Sequence, residues 1–307
     1  MLENADSRNG VGDMPRLGIS KKLSRTDVEG GIGQGIIKLL AKTRYPQRLY
    51  ICATSRSGLD LKIQPLPPNE IRYVELNISD TSSIRTFISN TLQKDSKIDV
   101  LINNNGETPE LTERTVNINY YGTKEMCQLF LTQGEMNKTP NSRIVNVNST
   151  ASSLSNNTSP IQSRFPSVKS VSVIDALAQE YIYAVKSQKQ EEAGFGAPPK
   201  SYQVSKAFTN ALTLVLARDN EGVAVNCCCP GWVDSDMGNQ IGKPPKTLEE
   251  GARIPVRLGI GDSGEGGNKD GGLDSDSKEK VSGRYFGNDG VRDKGWRESK
   301  AAVIISQ

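Results

Sequence analysis

Gly30-Gly-Ile-Gly-Gln-Gly-Ile-Ile-Lys-Leu-Leu-Ala-Lys-Thr-Arg-Tyr-Pro-Gln-Arg-Leu-Tyr-Ile-Cys-Ala-Thr-Ser-Arg56 holds a helix and a strand in succession. Between Gln34 and Thr43 the apolar residues Ile36, Ile37, Leu39 and Leu40 recur at helical spacing. Between Arg48 and Thr54 the run is short and largely apolar, as expected of a strand covered on both faces. The same alternation continues along the chain. Strands are expected at Ile71–Leu76, Asp99–Ile102, Arg143–Val147, Val223–Cys229 and, last, Gly283–Gly287. Helices are expected at Thr81–Gln93, Thr115–Phe130, Val171–Lys186 and Tyr202–Arg218. Strands alternating with helices at this spacing predict an α/β fold with a doubly wound parallel sheet.

Residues 1–25 are polar and without period, and are expected to be disordered. Residues 26–307 read as one domain, with a Gly, Asp, Ser and Lys-rich flexible loop at 261–280. The central strand of such a sheet should stand just before Gly31. Instead the chain reads Leu23-Ser-Arg-Thr-Asp-Val-Glu-Gly-Gly31, preceded by Lys21 and Lys22. That is too polar for a buried parallel strand, so the first strand is expected to be missing or degenerate.

The chain of 307 residues has a net charge of +3 and a mean hydropathy of -0.49. Its Lys and Arg are dispersed, which argues against a nucleic-acid partner. No apolar run approaches the ~18–20 residues of a membrane span, and the N-terminus lacks the apolar core of a secretory signal. A cytoplasmic protein without a membrane partner is therefore expected. Cys227, Cys228 and Cys229 are adjacent, a spacing suited to neither zinc nor disulfides, and are expected to be buried strand thiols. No metal is expected.

There is no histidine, so acid–base chemistry falls to tyrosine, lysine, carboxylates or thiols. In Ser201-Tyr-Gln-Val-Ser-Lys-Ala-Phe208, Tyr202 and Lys206 are four apart and share a helix face. A lysine ammonium there is expected to lower the phenol pKa toward neutrality. Gly31, Ile32 and Gly33 open a helix whose N-terminus can receive a phosphate. Arg56 ends the next strand at the position where dinucleotide folds read the ribose, and an arginine there suits a 2′-phosphate, hence NADP.

Several segments in order resemble the short-chain dehydrogenase/reductases, and among them the monomeric carbonyl reductases. Asp99-Val-Leu-Ile-Asn-Asn-Asn-Gly106 is similar to the family's strand ending in Asn-Asn-Ala-Gly. Asn117-Ile-Asn-Tyr-Tyr-Gly-Thr123, Arg143-Ile-Val-Asn-Val-Asn-Ser149 and Cys229-Pro-Gly-Trp-Val-Asp-Ser-Asp-Met237 look like its asparagine, serine and proline-glycine segments. Glu249-Glu-Gly-Ala252 resembles the helix that follows, and the likeness spans about Gly30 to Gly259, returning at Gly283–Trp296. The resemblance implies a catalytic set of Asn119, Ser149, Tyr202 and Lys206. It also implies cofactor contacts at Asn77, Asn104, Pro230, Val233 and Ser235, with Trp232 and Met237 as walls of the substrate pocket. The implied reaction is hydride transfer from NADPH to a small-molecule carbonyl, or the reverse from an alcohol. Tyr202 would protonate the alkoxide, Ser149 would hold its oxygen, and Asn119 would orient a water toward Lys206. The long separation of Ser149 from Tyr202, which includes Val171–Lys186, is the insert that marks the monomeric members, so a monomer is expected.

Five departures stand against this. The central strand is degenerate, Asp27 occupies the place of the first phosphate-loop glycine, Asn77 stands in place of the usual adenine-contacting aspartate, Asn105 replaces a small alanine, and the loop between Asn104 and Asn119 is short for a carbonyl reductase. Two readings follow: an NADPH-dependent carbonyl reductase, or a catalytically silent relative with impaired cofactor binding that serves as a binding or scaffold protein.

Overall fold

The structure is a computed structural model. It describes residues 16–21, 31–46, 48–95, 97–106, 112–153, 157–240, 242–261, 282–287 and 297–298, with backbone alone for 16–21 and 297–298. The strands are β1 (Arg16–Lys21), β2 (Tyr50–Ser55), β3 (Glu70–Glu75), β4 (Val100–Asn104), β5 (Arg143–Val147), β6 (Ala224–Cys229), β7 (Tyr285–Gly287) and β8 (Arg297–Glu298). They form one sheet in the order β3-β2-β1-β4-β5-β6-β7-β8, parallel except for the antiparallel β8. The helices are α1 (Ile32–Lys42), α2 (Thr81–Asp95), α3 (Thr112–Val116), α4 (Thr123–Thr132), α5 (Ser159–Arg164), α6 (Val171–Lys186), α7 (Ser201–Asp219), α8 (Asp236–Asn239) and α9 (Leu248–Ile260). The expected Rossmann-like α/β fold is the fold observed.

One expectation is corrected. The central position of the sheet is filled by β1, whose Ile19 stands in register with Ala53 of β2 on one side and Ile102 of β4 on the other. The first strand is therefore present, and six residues of the segment expected to be disordered belong to the sheet. Arg-Leu-Gly-Ile-Ser-Lys is a weak strand sequence, so strand formation here rests on two ready ladders rather than on propensity. Asp27, residues 1–15 and loop residues 262–280 lie outside the described residues.

Two apolar layers sandwich the sheet. On one face α1 and α9 pack so closely that a side chain at Gly35 would stand 2.4 Å from the Leu248 carbonyl oxygen. That layer holds Ile36, Leu40, Ile51, Ile102 and Val145. On the other face α7 is buried along most of its length, beneath the sheet and beneath α6 of the insert. Asp175 of α6 accepts from Tyr120 Oη at 2.8 Å and from Lys124 Nζ at 2.8 Å, and Gln179 donates to Tyr121 Oη at 2.7 Å. The three cysteines of β6 are buried free thiols, as expected.

Candidate active site

The described candidate residues lie on α1, at the carboxyl ends of the parallel strands or on the segments that follow them, in the turn Asn117–Gly122, on α7 and on α8. This is where open α/β sheets bind ligands, around the point at which the strand order reverses. Here the reversal falls at β1, flanked by β2 and β4.

Four side chains form the centre. The strand β5 ends at Val147, and Ser149 begins a single 3-10 turn, with its hydroxyl accepting from the Ala151 amide at 3.2 Å. The Tyr202 phenol shares a hydrogen bond with Ser149, which acts to lower its pKa. Desolvation acts more strongly and pushes the phenol up to about 12. The expected lowering toward neutrality by Lys206 is thus not observed: burial raises the phenol pKa, and the opposing effect comes from Ser149. Lys206 Nζ stands 5.8 Å from the centre of the Tyr202 ring and donates to the carbonyls of Asn105 at 2.5 Å and Val147 at 3.0 Å. Burial pulls the Lys206 pKa down to about 8, against the opposing charge effect of the neighbouring Cys229 and Cys228 thiols.

Asn119 is fully buried within a π-helical turn, Asn117–Gly122, that interrupts the run from α3 to α4. Such turns recur at functional sites. Its amide donates to Ser205 Oγ at 3.0 Å. Its carbonyl accepts from Thr123 Oγ1 at 2.8 Å and Thr209 Oγ1 at 3.0 Å. Asn105 closes the circuit, donating from Nδ2 to Thr123 Oγ1 at 2.8 Å. Asn119 is therefore joined to Lys206 through Thr123 and Asn105. Among these, Thr123, Ser205 and Thr209 were missed by the sequence reading; only their i+4 and i+3 spacing on helices bearing Asn119 and Tyr202 could have signalled them.

The surrounding residues are placed as follows. Gly31 caps α1 with φ 98°, and no atom of the described residues lies within 4 Å of the position a side chain there would take. The first turn of α1 has no acidic residue and, among the described residues, no side-chain cap at the positive end of the helix. Ile32 and Val233 both stand against Gly251, where a side chain would strike each of them. Gly33 is buried and Arg56 half-buried, directly beyond β2. Asn77, beyond β3, binds its own loop, accepting from Ser79 N at 3.1 Å and Ser79 Oγ at 2.7 Å. Asn104 is half-buried at the end of β4, and Pro230 is buried after β6. Ser235 caps α8 through the Gly238 amide. Met237 reaches the β4 loop, with its Cε 3.3 Å from where a side chain at Gly106 would stand. Trp232 is 40% exposed, and its indole donates to Gly238 O at 2.8 Å.

Residues 26–170 match the family model described as short chain dehydrogenase. Carbonyl reductase (NADPH) 3 of Rattus norvegicus is 30% identical over 208 residues, which cover 62% of this chain and 72% of that protein. The chain belongs to the short-chain dehydrogenase/reductase family. (+)-Neomenthol dehydrogenase of Arabidopsis thaliana is 29% identical over 273 residues, covering 76% of this chain and 90% of that protein. The fold agrees with the solved salutaridine reductase of Papaver somniferum, with a TM-score of 0.68 at 21% identity over 89% of this chain and 99% of that one. Short-chain dehydrogenase/reductases are oxidoreductases that use NAD(P), and the curated carbonyl reductases among these relatives act on small molecules. Among the described residues no helix is long and apolar enough to cross a membrane.

Gly31, with no described atom within 4 Å of its would-be side chain, and the first turn of α1, which carries no acidic residue, suit the pyrophosphate of a dinucleotide.

Proposed function

We propose that this protein is an NADPH-dependent oxidoreductase that reduces a small-molecule carbonyl to an alcohol. The observation that carries the proposal is the Tyr202 phenol, kept protonated by burial and hydrogen-bonded to Ser149, beside the buried ammonium of Lys206.

Bound NADPH would supply hydride to the carbonyl carbon. Gly31, Ile32 and Gly33 would hold its pyrophosphate, Arg56 its 2′-phosphate, and Asn77, Asn104, Pro230, Val233 and Ser235 the rest of its length. Ser149 would donate to the carbonyl oxygen and so stabilise the negative charge that develops there. Tyr202 then gives its proton to that oxygen. A phenol with a pKa near 12 remains protonated at neutral pH and is still a stronger acid than an alcohol, so the transfer runs downhill. Lys206 stabilises the phenolate left behind through its positive charge. Asn119 fixes the helix that carries this network. Trp232 and Met237 would line the substrate side.

The reading also takes the protein as a cytoplasmic monomer. The contacts of Asp175 and Gln179 support the monomer, because they fasten α6 of the insert over the helix that ends in α4. The silent-relative reading loses one of its supports, since β1 occupies the central slot. The test is turnover of NADPH with a panel of aldehydes and ketones. Carbonyl-dependent oxidation of NADPH is expected; tight NADPH binding with no turnover on any carbonyl would favour the silent relative.

A further inference from the structure

Asn105 is where this chain departs from the family's Asn-Asn-Ala-Gly pattern, and its side chain is 5% exposed. The side chain turns inward to Thr123, and its main-chain carbonyl accepts the shortest hydrogen bond made by Lys206. The polarity of the link follows from proton counting. Thr123 Oγ1 has one proton and gives it to the Asn119 carbonyl, so toward Asn105 it can only accept, and Asn105 must present its amide nitrogen. The Asn105 carboxamide oxygen is then left buried without a partner. That is a costly arrangement for an ordinary structural asparagine.

We propose that Asn105 is a positioning residue, which ties the loop after β4 to Thr123 and so fixes its own carbonyl as the acceptor that holds the Lys206 ammonium. The relation rests on the oxidoreductase reading only for its effect on turnover. An alanine at this position would keep the carbonyl but lose the tie. The same Thr123 hydroxyl donates to the Asn119 carbonyl, which Thr209 also reaches, so Thr123 links the π-helical turn to the loop that holds the lysine.

The test uses Thr123→Val, which keeps the side-chain shape and removes the hydroxyl, and Thr123→Ser, which keeps the hydroxyl. Two readouts are taken on the full chain: kcat for carbonyl reduction, and the titration midpoint of the Lys206 ammonium by NMR in the cofactor-free protein. Thr123→Val is expected to lower kcat on the order of ten- to a hundredfold, the scale of a small misplacement of a reacting group. KM for the carbonyl should change little. The Lys206 midpoint should move to lower pH, because the charged form loses a well-placed acceptor. Thr123→Ser should restore both readouts, and Asn105→Ala should repeat the Thr123→Val result without adding to it in the double variant. An unmoved Lys206 midpoint in a folded Thr123→Val protein overturns the proposal, as does a Thr123→Ser protein as impaired as Thr123→Val. The titration needs no turnover, so it stands even if Tyr202→Phe were to show that the reaction itself is misassigned.

Discussion

The Lys206 ammonium stands 5.8 Å from the centre of the Tyr202 ring, yet its hydrogen bonds go to the carbonyls of Asn105 and Val147 rather than to the phenol. The lysine therefore acts on the tyrosine through space, and only while it is charged. With its pKa pulled down to about 8, carbonyl reduction is expected to be level below that pH and to fall as pH rises through it, well before Tyr202 titrates near 12. The sign for stability is the opposite. A folded pKa below the usual lysine value means that the unfolded chain binds the proton more tightly, so the burial penalty is full below about pH 8 and fades as pH rises toward the usual lysine range. A pH–rate profile with no loss between about pH 7 and 9 would contradict this account, since the limbs of such a profile report the pKa values of essential groups.

Cofactor choice is expected to rest on Arg56. An arginine–phosphate contact is charge-assisted and often bidentate. Arg56→Ala should weaken NADPH binding by about tenfold or more, the scale of ~1.5–3 kcal/mol for a hydrogen bond to a charged group, and leave NADH binding nearly unchanged. Equal losses for the two cofactors, measured by fluorescence titration, would remove Arg56 from the role.

The central strand offers a test that depends on backbone alone. Ile19 lies between β2 and β4, so Ile19→Pro removes a ladder donor from the middle of the sheet. A loss of ~3 kcal/mol or more is expected, read as a large fall in Tm. A Tm close to that of the unaltered protein would mean that the sheet does not depend on β1.

The insert is expected to keep the protein a monomer. Asp175 joins Tyr120 and Lys124 across the boundary between α6 and the α4 helix. Light scattering at micromolar concentration should give the monomer mass, and a stable tetramer would contradict the role given to α6.

The fold was legible where burial writes itself into composition. Arg143–Val147 and Val171–Lys186 are the very bounds observed, because one is an apolar run and the other a clean amphipathic period. β1 was not legible. With only Leu17 and Ile19 strongly apolar between basic ends, its pairing is decided by the neighbouring strands, which local sequence does not display. The four central site residues were legible through motif order. The π-helical turn at Asn119 was not, since its one extra residue leaves no mark on hydrophobic spacing. Nor was the raised phenol pKa, because the i, i+4 relation reports a nearby charge but not the depth of burial that raises it.

The most direct test of the account is the rate of NADPH-dependent carbonyl reduction by the protein and by its Tyr202→Phe variant, with melting temperatures measured alongside. The phenol is the group assigned to proton delivery, and no histidine exists to replace it. The account predicts a loss of ~10²–10⁴-fold in kcat with the fold retained. A folded Tyr202→Phe protein that turns over at a near-normal rate would contradict it.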